Sequence, residues 1–119
     1  MERLGAVLLS ALLAFASSPA RAQTVRIVGV GATSCTQFEQ EISRKPAAER
    51  DYLAWAQGFM SGALMRAPQG VDEDLDLLPL FFPLQQPAEF LRAYCLANPS
   101  EDYSDAVHAL YQRLKGRPT

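Results

Sequence analysis

Cys35 and Cys95 are the only two cysteines in this chain of 119 residues, and they stand 60 positions apart (95 minus 35). If they are joined, the segments that carry them must pack side by side, whatever the rest of the chain does. The compartment decides whether they join, and the first 22 residues point to one that is oxidising. Arg3 gives a positive start, Leu4 to Phe15 is an apolar run, and Ser17-Ser18-Pro19 breaks it. Ala20-Arg21-Ala22 then has the small-x-small pattern after which a signal peptidase cuts. The run of about 12 residues is shorter than the roughly 20 that span a bilayer. No cysteine follows the cut, so no lipid anchor is expected there. The reading is a cleaved leader, a mature chain from near Gln23, and a bacterial periplasm. In that compartment two cysteines in a small domain form one disulfide; the alternatives are two free thiols or an intermolecular link. A Cys35–Cys95 bridge would remove about 4 kcal/mol of unfolded-state entropy, a large share of the roughly 5–15 kcal/mol typical of a domain.

Without its leader the chain has 97 residues (119 minus 22), enough for one domain with one core. The leader holds Arg3, Arg21 and Glu2. Basic residues therefore fall from 11 to 9 and acidic ones from 13 to 12, a formal charge of −3. A nucleic-acid surface needs a basic face or stripe, and anionic lipid needs a basic amphipathic helix. Neither pattern is present, so neither partner is expected, nor insertion in a membrane once the leader is removed.

Four helices are expected, in an all-α domain spanning residues 34–119 behind an extended arm at residues 23–33. Thr24 to Thr33 is β-branched and Gly-rich, an arm or one short strand with no partner strand. Ser34 and Gln37 have capping-box spacing, with Cys35, Phe38 and Ile42 on one face of the first helix. Lys45-Pro46 ends it, and Pro46 suits the first turn of a second helix over Ala47 to Arg66. There Tyr52, Trp55, Ala56, Phe59, Met60, Ala63 and Leu64 form a wide apolar stripe, with Glu49, Arg50, Asp51 and Gln57 facing water. Gly58 and Gly62 sit one turn apart, a spacing that predicts a close helix contact inside the domain. Residues 67–86 are irregular: Pro68-Gln69-Gly70, then the acidic Asp72 to Asp76, then an apolar run interrupted by Pro79 and Pro83. A third helix should begin at Pro87 and carry Phe90, Leu91, Tyr94 and Cys95. Asn98 as cap, Pro99 in the first position and Glu101 predict the start of the fourth. Tyr103, Ala106, Val107, Leu110, Tyr111 and Leu114 form its stripe, and Lys115-Gly116 closes it.

The chemistry-bearing residues are few. Zinc needs several His or Cys ligands; the chain has one His and the two cysteines of the expected bridge. His108, beside Ser104, Asp105 and Gln112, reads as a solvated histidine rather than the base of a nucleophile. Gly29-Val30-Gly31 opens like a dinucleotide fingerprint, but its third glycine falls at Ser34 and no parallel sheet can follow. Asp72, Asp74 and Asp76 alternate like a calcium loop, yet that loop wants Gly at 77 and Glu at 83, where Leu77 and Pro83 stand. No catalytic residue, metal or cofactor is assigned, and a non-enzymatic binding role is expected. The candidate contact is the run Leu77, Leu78, Leu80, Phe81, Phe82 and Leu84. Exposed, it would be an apolar patch of the kind that marks an interaction site. Buried, it would plug the core between the second and third helices.

Ser34-Cys35-Thr36-Gln37-Phe38, with Tyr94-Cys95 before a last amphipathic helix, resembles the layout of HdeA-type periplasmic acid-stress chaperones. That resemblance implies a small all-α domain with one disulfide between helices, a homodimer at neutral pH, and opening in acid to hold unfolded clients. Trp55-Ala56-Gln57-Gly58-Phe59-Met60-Ser61-Gly62, and Asn98-Pro99 with the helix that follows, are similar to a second group. These are the small secreted immunity proteins that neutralise type VI amidase effectors, and their uncharacterised proteobacterial relatives. That likeness implies a dedicated protein partner, an envelope enzyme or effector. Below about pH 3 nearly all carboxylates protonate, so the mature charge would move from −3 to about +10 and favour opening through self-repulsion.

Overall fold

The computed structural model describes residues 25–79 and 83–116. The predicted leader, residues 1–22, lies outside them, as do Leu80, Phe81 and Phe82. Among the described residues the chain forms four α-helices and no strand: α1 (Cys35–Arg44), α2 (Glu49–Arg66), α3 (Gln85–Ala97) and α4 (Tyr103–Lys115). Two short 3-10 turns, Gly29–Ala32 and Pro46–Ala48, precede α1 and α2. No described helix is long and apolar enough to cross a membrane.

Each helix starts and stops for a local reason. Ser34 caps α1, its Oγ accepting from the Gln37 backbone N–H at 3.2 Å. Pro46 ends that helix and heads a 3-10 turn, so α2 begins at Glu49, two residues later than its pattern predicts. Acidic residues in the first turn of α2 and Arg66 in its last complement the helix dipole. α3 begins at Gln85, two residues before the predicted Pro87. Proline is tolerated there because the first-turn N–H groups have no intrahelical acceptor.

The start of α4 is the clearest correction. Asn98-Pro99 does not open the helix; Asn98 ends α3, its side-chain amide donating to the Tyr94 carbonyl at 2.9 Å. α4 begins at Tyr103 behind Asp102, with Asp105 Oδ2 accepting from the Asp102 backbone N–H at 3.0 Å. Tertiary structure explains the choice. The carbonyls of Glu101 and Pro99 accept from the Cys35 and Thr36 N–H groups at 2.7 and 3.3 Å, so the turn between α3 and α4 closes the open end of α1. A helix starting at Pro99 would have turned those carbonyls inward. Ser34 and Asp102 form an isolated antiparallel bridge at the same junction, and the Tyr103 N–H donates to Thr33 O at 2.8 Å.

Three rings fill the centre. Phe38 of α1, Tyr52 of α2 and Tyr103 of α4 meet pairwise with centroids 4.8, 4.8 and 4.9 Å apart, the spacing aromatic pairs favour. Around them α2 buries Ala56 and Met60, α3 buries Leu91 and Cys95, and α4 buries Ala106, Val107 and Leu110. Cys35 and Cys95 are joined, tying α1 to α3 inside this core.

The glycines fall out differently from their spacing. A Cβ on Gly58 or Gly62 would meet nothing within 4 Å, so neither marks a close helix contact. The buried stripe of α2 runs through Tyr52, Ala56 and Met60, and both glycines are exposed. The close approach is at Gly31 instead, where a Cβ would lie 2.1 Å from the Trp55 ring. Gly29 beside it has φ +75°, a backbone that favours glycine. The Gly-x-Gly pair thus seats an indole, and it does so within a 3-10 turn rather than an extended arm.

Candidate functional site

The irregular chain between α2 and α3 is held by its own carboxylates. Asp72 sits in the left-handed region at φ 59°, which Asp tolerates better than most residues. Its Oδ2 accepts from the Tyr111 hydroxyl at 3.0 Å and pairs with Lys115 Nζ at 3.2 Å, both from the last turns of α4. Glu73 Oε1 accepts from the Gly70 N–H at 2.6 Å, and Asp76 Oδ1 from the Leu78 N–H at 2.8 Å. The acidic stretch therefore organises the loop instead of converging on an ion. Among the described residues no group of three His, Cys, Asp or Glu side chains comes together.

This clamp delivers the apolar run to α2. Leu75 and Leu77 pack against the core and Pro79 is buried. Leu78 and Leu84 remain 53% and 45% exposed. With Pro87 they form one side of a groove of about 180 Å³ whose other side is Leu53, Gln57, Met60 and Ser61 of α2. Among the described residues of the run, Leu77 is partly buried against the core and also lines the groove, while Leu78 and Leu84 line it from exposed positions. Leu80, Phe81 and Phe82 lie outside the described residues.

His108 is exposed on α4, its Nε2 3.5 Å from Gln112 Nε2, and Asp105 is engaged at the start of the helix. These neighbours in sequence do not assemble into a nucleophile with its base.

The structure also brings together side chains that the sequence pattern did not connect. Three tyrosine hydroxyls each donate to a carboxylate on another segment: Tyr52 to Glu41, Tyr94 to Glu101, and Tyr111 to Asp72. Arg92 of α3 pairs with Glu49 at the start of α2. The Tyr52 hydroxyl, then the Gln37 amide, hold the Glu41 carboxyl below its ordinary value. The hydrogen bond to Glu101, then burial, push Tyr94 up to about 12. Tyr52 and Tyr111 are raised by burial first and by their carboxylate partners second. Two of these bonds join residues 11 and 39 positions apart, separations with no periodic signature. The available signal was the position of the tyrosines at the edges of apolar stripes, where a ring can be buried and its hydroxyl wet.

These features define a class, the small all-α domain stapled by one internal disulfide. The chain matches no family model, and no curated protein or solved structure is matched by it.

Proposed function

We propose that this is a non-enzymatic periplasmic binding protein that holds unfolded clients when acid loosens its fold. The leader and the bridge support the address, and the resemblance to HdeA-type chaperones supports the role. The observation that carries it is the set of carboxylate ties around the core. Glu41, Glu101, Asp72 and Glu49 each bind a group on another segment, and an ionised carboxylate accepts such a bond more strongly than a protonated one. At these partly wet positions a bond is worth about 1 kcal/mol, so weakening the set draws on marginal stability, and Glu41, held below its ordinary value, gives up its share as pH falls. The Cys35–Cys95 bond survives acid and keeps α1 and α3 together while α2, the loop and α4 loosen. Core surface such as Phe38, Tyr52 and Met60 then becomes available to an apolar client segment.

The test is light scattering of an aggregating client with the oxidised protein, from neutral pH down to about pH 2, where carboxylates are protonated. Suppression that begins only in acid supports the reading. A folded protein with no client binding in acid overturns it.

The groove favours a second reading, a dedicated folded partner of the kind immunity proteins capture. It is open in the folded protein and walled by Leu78 and Leu84 of the predicted contact run. Phe81→Asp with Phe82→Asp would then abolish capture of that envelope partner and leave the helical signal intact, whereas acid-dependent client holding would persist.

A further inference from the structure

Glu39 of α1 is unlike the carboxylates described so far. Its Oε1 is buried and has no hydrogen-bond partner, the only side-chain atom of which this is true among the described residues. The cation facing it is Arg92 from α3, and Arg92 Nη1 is already bonded to Glu49 from the start of α2. Arg92 thus acts electrostatically on both carboxylates and is hydrogen-bonded to Glu49. From α4, Tyr103 lies near Glu49 and is a neutral phenol, held protonated first by burial and then by that carboxylate.

From this arrangement we infer that Glu39 is a proton-uptake site, a brake that tightens the α1–α2–α3 junction in mild acid. Ionised, Glu39 is a partly buried charge whose counter-ion is engaged elsewhere and whose neighbour Glu49 repels it. On taking one proton from solvent it becomes a neutral acid, the repulsion ends, and the Arg92–Glu49 pair remains whole. Burial is the largest cause and raises its pKa; Arg92 opposes this and Glu49 adds to it, leaving the group above its ordinary value. A carboxyl raised in the fold takes its proton before the unfolded chain does. Stability then rises as pH falls through the folded value towards the unfolded one, about 4.3. Glu41, lowered in the fold, acts in the opposite sense, and its contribution is lost only in stronger acid. The brake is a property of the fold and holds whatever the protein binds. If acid opens the protein, the brake delays that opening and makes it steeper.

The experiment is a carbon-detected NMR titration of the glutamate side-chain carboxyls in the oxidised protein, with urea midpoints measured between about pH 7 and pH 4. Glu39 is expected to titrate above the other glutamates, and the wild-type midpoint to rise as pH falls across that window. Glu39→Gln should raise the midpoint at neutral pH and flatten the rise. Glu49→Gln frees Arg92 to turn to Glu39, so the Glu39 titration should move down in that variant. A Glu39 resonance that titrates with the ordinary glutamates overturns the inference, and needs no variant to fold. A Glu39→Gln profile parallel to wild type overturns it as well.

Discussion

Where α1, α3 and the 98–103 turn meet, the molecule is held mainly by bonds that pH does not touch, with the Tyr94–Glu101 bond beside them. The disulfide joins Cys35 to Cys95, the backbone N–H groups of Cys35 and Thr36 end on the carbonyls of Glu101 and Pro99, and Tyr103 N–H ends on Thr33. The loop from Ala67 to Leu84 is held otherwise. Its side-chain attachment to α4 runs through the single carboxylate of Asp72, and its internal turns combine the backbone bonds Val71 N–H to Pro68 O and Leu75 N–H to Asp72 O with the carboxylates of Glu73 and Asp76. The first region is mainly covalent and backbone-bonded, whereas the second depends on a carboxylate for its tie to α4. A fold built this way can loosen in parts, because acid that neutralises the second set leaves most of the first intact.

The largest expected effect is at the stapled junction. Replacing both cysteines with alanine, or reducing the bridge, should cost about 4 kcal/mol on the chain-entropy scale for a loop of 60 residues. Urea unfolding with and without reductant measures it. A loss under about 1 kcal/mol would mean that the backbone bonds of the junction suffice and that the contrast drawn here is wrong. Next in size is Gly31→Ala. Its Cβ would stand 2.1 Å from the Trp55 ring, so either the 3-10 turn or the indole must move. Overpacking of this kind costs about 1–3 kcal/mol. Trp55 is the only tryptophan in the chain, so its fluorescence reports the displacement directly.

On the other side of the contrast, Tyr111→Phe removes the hydroxyl that Asp72 accepts and leaves the ring to pack. The expected cost is about 1 kcal/mol, with faster proteolytic cleavage in the loop and unchanged cleavage near Cys95. Equal acceleration at both places would show that the loop does not open by itself. Alkali probes the tyrosine–carboxylate bonds of both regions from the donor's side. Tyr94, near 10 when unfolded, is raised to about 12 in the fold, so its contribution is complete below pH 10 and is lost as pH rises through 12. Tyr52 and Tyr111 are raised too and act in the same direction. Stability measured between those pH values should fall, and fall less in Tyr94→Phe.

The regions also differ in how far they could be read from sequence. The helices of the core were legible because burial writes a period: Phe38 behind the Ser34 cap, Tyr52-Ala56-Met60, and the α4 stripe from Tyr103 to Leu114 all lie where spacing placed them. The bridge followed from two cysteines behind an expected leader. The ends of the helices were less legible. Asn98-Pro99 and Asp102 carry the same capping chemistry, and only the need of α1 for the Glu101 and Pro99 carbonyls decides between them. In the candidate site the Leu77–Leu84 run announced itself by composition, but its wall on α2 did not, since Leu53 and Gln57 sit off the main stripe. The carboxylate ties were invisible, because a tyrosine and an acid 39 positions apart leave no local pattern.

The smallest effect tests a misleading local pattern. Gly58 and Gly62 have the spacing of a packed helix pair, yet a Cβ on either meets open space. If they serve only as helix residues, each is a defect: glycine in a helix interior costs roughly 1 kcal/mol relative to alanine. Gly58→Ala and Gly62→Ala should therefore each stabilise the protein by about 0.5–1 kcal/mol. The two sites are one turn apart on the same helix, so the double variant measures how far the gains add. Thermal unfolding of the single and double variants measures this, and the acid-opening behaviour should shift only by the stability gained. Stabilised variants that no longer bound a client or partner would instead give these positions a purpose, a flat exposed face on α2 that a side chain spoils. Such a result would move the binding surface off the 67–84 loop and onto the face of α2 that carries Gly58 and Gly62.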